Sequence, residues 1–166
     1  MTAADARSSG ELRAFLARDH ERLDALLTKA SAGDLDAYKQ FRAGLLWHIG
    51  VEERILFPIV RTAVGESELI RQLHRDHAPL GALLMPPPNR ADMERIREIL
   101  DAHNPLEEKA EGFYDVAENV MKAREVMERV RAFPPVRVAP HVDTEITRWS
   151  IEQLVLEADE GRRRLG

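Results

Sequence analysis

Two segments of this chain repeat each other, and the repeats carry ionisable side chains at the spacing of a buried helix face. Asp19-His20-Glu21-Arg22-Leu23-Asp24-Ala25-Leu26-Leu27 corresponds to Asp76-His77-Ala78-Pro79-Leu80-Gly81-Ala82-Leu83-Leu84 as Asp-His-x-x-Leu-x-Ala-Leu-Leu. Further along, His48-x-x-x-Glu52-Glu53 corresponds to His103-x-x-x-Glu107-Glu108, and the offsets of 57 and 55 residues nearly agree. A duplicated helix pair of this kind packs around an approximate two-fold axis. Equivalent residues then meet around that axis, which is a natural way to build a site for two metals.

Apolar residues recur at helical spacing almost throughout, and period-two alternation is absent over any useful length. An all-α fold is expected. Ser8 and Glu11 have the spacing of a capping box, so helix A should span about residues 8–29 and stop at Ser31, Ala32 and Gly33. Helix B should span about 35–63, ended by Gly65, and helix C about 66–85, ended by Pro86, Pro87 and Pro88. Helix D should span about 90–121, with continuation to 131 open. Residues 133–142, with three prolines, read as an irregular linker before a last helix capped by Asp143 or Thr144 and ending near Gly161. Short connections favour an antiparallel up-down-up-down four-helix bundle with a C-terminal helical extension. Its 166 residues suit a single domain, with the bundle core at about 8–121 and the extension at about 122–166.

The core positions are where the pattern becomes chemical. Helix B reads Phe41, Leu45, His48, Glu52, Ile55, Ile59, and helix D reads Met93, Ile96, Leu100, His103, Glu107, Ala110, Tyr114, Ala117, Met121, both with spacings alternating between three and four. His20 lies between Leu16 and Leu23, and His77 between Leu73 and Leu80. Six ionisable groups thus point inward. Left uncompensated they would consume most of the ~5–15 kcal/mol that holds a domain together. A buried histidine–glutamate hydrogen-bond network would compensate them, and so would metal ions. The duplication favours metal, because a pair of ions satisfies all six at once.

Composition narrows the metal. The chain contains no cysteine, so thiolate zinc sites, iron–sulfur clusters and disulfides are excluded, and any ion is held by nitrogen and oxygen. With 24 basic against 29 acidic residues the formal charge is -5, which gives no electrostatic reason to expect nucleic acid or an anionic membrane as partner. No segment approaches the ~20 apolar residues that span a bilayer, and residues 1–10 lack the pattern of a signal peptide, so a cytoplasmic location is expected. Four neutral histidines and two carboxylates leave a ferrous pair at about +2, a charge that oxygen-derived anions would neutralise. Zinc usually settles for about four ligands, whereas six protein groups with two carboxylates able to bridge suit a pair of higher-coordinate ions.

Asp19-His20, His48-x-x-x-Glu52-Glu53-x-x-Leu56-Phe57-Pro58, Asp76-His77 and His103-x-x-x-Glu107-Glu108 together resemble the hemerythrin-like (HHE cation-binding) family over about residues 11–121. The resemblance implies a four-helix bundle holding two non-haem iron ions, bridged by carboxylates and by an oxo group. By that pattern the metal ligands are His20 and His48 on one iron and His77 and His103 on the other, with Glu52 and Glu107 bridging. The family's members serve in oxygen binding, gas or iron sensing, iron handling and peroxide removal. The expected partner is accordingly a small-molecule oxidant or a diatomic gas, with peroxide removal or a nitric oxide response favoured. A sensing or binding module without turnover, and iron storage, stand as alternatives.

Some residues lie beside this set. His74, one turn before His77, would be a fifth histidine ligand in an oxygen carrier, but its three-residue spacing turns it about 60° away on an ideal helix. Glu53, Glu108 and Asp24 read as supporting acceptors or solvated charges. Tyr114, about 10 Å along a straight helix from Glu107, reads as a core tyrosine out of reach of the metals. Pro105 would allow a helix start at Asn104, and His141 reads as a surface residue. The segment beyond Met121 has no counterpart in the repeat, which leaves it free to cover the bundle, contact a second copy as a homodimer or dock a partner.

Overall fold

The structure is a computed structural model and describes residues 10–166. Among these residues the chain is all helix and connection, with no strand: α1 Glu11–Ser31, α2 Leu35–Val51, a wider turn Glu52–Leu56, α3 Phe57–Val64, α4 Glu68–Leu83, α5 Arg90–Glu108, α6 Phe113–Val120, α7 Ala123–Ala132 and α8 Glu145–Leu165. The starts follow local chemistry. Asp34, Ser67, Asn89 and Thr144 each accept a backbone N–H in the first turn of α2, α4, α5 and α8, and Gly33 and Gly65 take the positive φ values, 100° and 83°, needed to leave α1 and α3. Ser8 lies outside the described residues. The α1 terminus is capped from a distance: the carboxylate of Glu118 on α6 accepts from Gly10 N at 2.6 Å and from Arg13 N at 3.0 Å.

The four long helices alternate in direction, and a layer of polar side chains divides their core in two. One half contains Leu12 and Leu16 of α1, Val51 of α2, Leu73 of α4 and Phe113 and Tyr114 of α6, and the other contains Leu23 and Leu27, Phe41 and Leu45, Leu80 and Leu83, and Ile96 and Ile99. His20, His48, His77 and His103 fall between the halves. Each fully buried leucine contributes roughly 1.5–3 kcal/mol of transfer free energy, so the two apolar halves hold the helices in place around a layer that by itself opposes folding.

Two expectations about the long helices need correction, and an alternative start for helix D falls away. Helix B is not uniform: Phe57 N–H reaches back five residues to Glu52 C=O, and the extra residue in this turn rotates the helix beyond it, so Val60 is buried where the straight pattern had placed Ile59. Helix D does not run to residue 121. It stops at Glu108, crosses residues 109–112, resumes as α6 and breaks again before α7, leaving Ala110 exposed. Nor does it start at Asn104, since Pro105 lies inside α5 and its carbonyl accepts the closing bond from Lys109 N at 3.1 Å.

The C-terminal segment covers the bundle. Val126, Met127 and Val130 of α7 complete one core half, and Ile151 of α8 completes the other. Helix α8 lies along α4, where Gln72 Nε2 donates to Ala158 O at 2.9 Å and a Cβ on Gly161 would stand 2.2 Å from Gln72 Oε1. Gly161 is therefore a packing contact inside α8, which continues to Leu165 instead of ending there.

Candidate metal centre

The polar layer brings together all six residues that the sequence placed inward, and their facing atoms form two groups. His20, His48, Glu52 and Glu107 make one, and Glu52, His77, His103 and Glu107 the other, with the facing atoms of each group all within 4.8 Å of one another. In the first, His48 Nε2 lies 3.0 Å from His20 Nε2 and 3.2 Å from Glu52 Oε1, and His20 Nε2 lies 3.3 Å from Glu107 Oε2. In the second, His77 Nε2 lies 3.1 Å from Glu52 Oε2 and His103 Nε2 lies 3.2 Å from Glu107 Oε1. Each glutamate thus offers one oxygen to each group. That is the arrangement a bridging carboxylate needs.

The outer face of each imidazole is held as systematically as the inner one. His48 Nδ1 meets Asp19 Oδ2 at 2.8 Å, His77 Nδ1 meets Glu53 Oε1 at 2.7 Å, His103 Nδ1 meets Asp76 Oδ2 at 3.2 Å, and His20 Nδ1 meets Glu108 Oε1. A carboxylate on Nδ1 keeps that nitrogen protonated and turns the Nε2 lone pair inward, as in metal-bound histidines generally. The supports cross between helices: the aspartate preceding His20 holds His48, and the aspartate preceding His77 holds His103. Likewise the glutamate after Glu52 holds His77, and the one after Glu107 holds His20. The repeat therefore encodes both the inward groups and their supports. Sequence reasoning had Glu53 and Glu108 as candidate supports and passed over Asp19 and Asp76, although each stands next to a repeated histidine.

His74, left open as a ligand by its spacing, lies outside the layer, and Tyr114 is placed differently from expectation. His74 faces outward, with 61 % of its side chain exposed, and its Nδ1 contacts Glu53 Oε1 at 2.9 Å, so it braces a support and does not reach either group. Tyr114 stands inside the layer, because the break at residues 109–112 folds α6 back beneath the glutamates. Its hydroxyl oxygen is 2.8 Å from Glu52 Oε1, 3.0 Å from Glu107 Oε2, 3.2 Å from His20 Nε2 and 3.3 Å from His48 Nε2. A Lys-Ala-Glu-Gly stretch marks the break in the sequence, and its readable signals are Gly112 and the greater length of residues 109–114 against the run from Glu53 to Phe57-Pro58.

Without a cation the layer is held by protons. Burial opposes a charged imidazole at His48, but the Glu52 carboxylate and Asp19 outweigh it, and His48 is pushed up to about 10. His103 is likewise raised to about 10 against burial, by Glu107 and Asp76. Burial raises the Glu52 carboxyl, and His48 and His77 more than reverse this, leaving it well below the usual carboxylate range. The Tyr114 hydroxyl goes the other way: burial and then the Glu107 and Glu52 carboxylates hold its proton in place well above the ordinary value. Protons leave the second group poorly satisfied: Glu52 Oε2, His77 Nε2 and Glu107 Oε1 are buried there, and the close pairs His77 Nε2–Glu52 Oε2 at 3.1 Å and His103 Nε2–Glu107 Oε1 at 3.2 Å lack hydrogen-bond alignment. Imidazole nitrogens and carboxylate oxygens that converge at contact distance without hydrogen-bond alignment fit a metal ion better than they fit a hydrogen-bond network.

A cavity of about 30 Å³ adjoins the layer from the side opposite Tyr114's core half, walled by Leu23, Leu27, Leu45, Leu80 and Leu100 and reaching the surface beside Asp24, Arg97 and Asp101. Asp24 pairs there with Arg97 and does not approach the metal groups. None of the described helices is long and apolar enough to cross a membrane.

No curated protein and no solved structure matches the chain significantly. The model of the hemerythrin HHE cation binding domain matches residues 11–146, most of the chain and both copies of its repeat. The chain belongs to the hemerythrin HHE cation-binding domain family.

Proposed function

We propose that this protein is a non-haem di-iron protein that reacts with a small oxidant, with peroxide removal or a nitric oxide response as its activity. The observation that carries the reading is the pair of four-residue groups sharing Glu52 and Glu107, each glutamate with one oxygen turned to each group. His20 and His48 would hold one ion, His77 and His103 the other, and the two glutamates would bridge. An iron pair held in this way supplies redox equivalents and open coordination positions to a bound oxidant. The chain's own contribution is orientation and exclusion: four carboxylate-braced imidazoles fix the donors, and the leucine-walled cavity of about 30 Å³ admits one or two molecules the size of water. That size suits peroxide or a diatomic gas.

A second reading, a sensing module without turnover, draws on one contact. Arg162 of α8 donates to Asp76 Oδ1 at 2.8 Å, and the other oxygen of Asp76 braces His103. Occupancy of the centre would thereby bear on the docking of α8. Metal content and the ultraviolet–visible spectrum of protein purified in air test the common ground. About two irons per chain, with oxo-bridge absorption that disappears in His48→Ala and in His103→Ala, are expected. An iron-free protein, or variants identical to the parent, would make the layer a structural network and refute the reading. Sustained gas evolution from hydrogen peroxide then selects the enzyme, and metal-dependent protection of residues 122–166 from protease selects the sensor.

A further inference from the structure

We propose that Tyr114 is a metal ligand, its phenolate oxygen completing a five-donor set with His20, His48, Glu52 and Glu107. The assignment rests on the di-iron reading above and extends it to a residue outside the repeat. Its basis is the position of one oxygen. For metal–ligand bonds of about 2.1 Å, two donors at a right angle around an octahedral ion stand about 3.0 Å apart. The hydroxyl of Tyr114 stands 2.8, 3.0, 3.2 and 3.3 Å from the four facing atoms of the first group. Those four are themselves joined in sequence, Glu52 to His48 to His20 to Glu107, by steps of 3.2, 3.0 and 3.3 Å. One oxygen at right-angle distance from four donors is the apex of a square pyramid.

Hydrogen bonding accounts for this position less well. A phenol has one proton, and it lies within 3.0 Å of two carboxylate oxygens on different glutamates. Donation to one leaves an oxygen–oxygen contact with the other, between side chains that are fully buried. A cation among the five donors removes that repulsion. On coordination the O–H bond breaks, the metal–oxygen bond forms with the oxygen's electron pair, and the proton leaves to buffer with no change of oxidation state.

The backbone is shaped for this placement. On an unbroken helix Tyr114 would sit about 10 Å below Glu107. The chain instead leaves α5 at Lys109, passes Glu111 at a φ of 60°, and turns through Gly112, where a Cβ would stand 2.7–2.8 Å from the carbonyl oxygens of residues 106, 107 and 109. The second group has no such fifth donor among the described residues: Phe57, which carries no oxygen, stacks on His77 with ring centroids 5.5 Å apart. The two metal positions would therefore be unequal, with five protein donors at the first and four at the second.

The chain has two tyrosines, and the other, Tyr38, is buried in the far half of the core beside His141. Resonance Raman and visible absorption of the iron-loaded full chain, with iron counted per chain, test the proposal. Parent and Tyr38→Phe should show a phenolate-to-iron absorption with enhanced tyrosinate ring vibrations, and Tyr114→Phe should lose both while keeping two irons and its helical circular dichroism. If Tyr114→Phe fails to load iron, the Tyr38→Phe spectrum still decides, because Tyr114 is then the sole tyrosine. Two irons per chain without tyrosinate vibrations in Tyr38→Phe would overturn the ligand and leave the di-iron reading standing. A parent that binds no iron would overturn both.

Discussion

Asp19 shows what a single side chain contributes at this centre. It touches no inward-facing atom, yet its Oδ2 fixes the tautomer and tilt of His48 from 2.8 Å, and Arg22 holds its other oxygen at 2.9 Å. His48 draws the Asp19 carboxyl below its usual range even though half-burial works in the opposite direction. Asp19→Asn keeps the volume and removes the charge. It should lower metal affinity about 10–100-fold in competition with a chromophoric chelator, with helicity unchanged; unaltered affinity would show that the outer nitrogen needs no carboxylate. At this scale the six inward residues were legible because histidine and glutamate at core positions are costly, and the cost is visible in spacing alone. Asp19 and Asp76 were less legible, since a support acts across to another helix and its partner cannot be read from its own.

Elements carry the asymmetry between the two halves. In the first, one wide turn at Glu52–Leu56 absorbs an extra residue without ending the helix; in the second, the helix ends and a new one begins. Gly112 is the tightest point of that break, enclosed by three backbone carbonyls that cannot retreat as a side chain would. Gly112→Ala should destabilise the protein by about 1–3 kcal/mol, read from the urea midpoint at constant m-value. Gly81, inside α4, meets nothing within 4 Å of an added Cβ. Gly81→Ala should therefore stabilise by about 0.5–1 kcal/mol in the same measurement, through the reduced backbone entropy of the unfolded chain. Equal effects of the two substitutions would contradict the packing described. Periodicity drew α5 and α6 as one helix because Tyr114 and Ala117 continue the heptad rhythm. A three-to-four spacing persists across a break when the chain returns to the same core, so rhythm alone does not reveal it.

For the molecule as a whole, the polar layer opposes folding where it stands, and α8 ties it to the surface. Removing metal with a chelator should lower the thermal midpoint, since an ion at 100 times its Kd stabilises by about 2.7 kcal/mol, and adding back iron should restore it. A midpoint indifferent to metal would mean that the layer is satisfied by protons alone. Arg162→Met leaves Asp76 with Gln72 and His103 but without its cation, and should cost roughly 1–3 kcal/mol and increase amide exchange in α8. The sequence by itself determined the helical class, the four long helices and the six inward groups, because helical period and burial cost are local properties that duplication made emphatic. Only the tertiary structure decided that Tyr114 enters the layer, that His74 leaves it and that α8 reaches Asp76. Each of these depends on where a break or a crossing sends the chain, and that is fixed by packing between segments far apart in sequence.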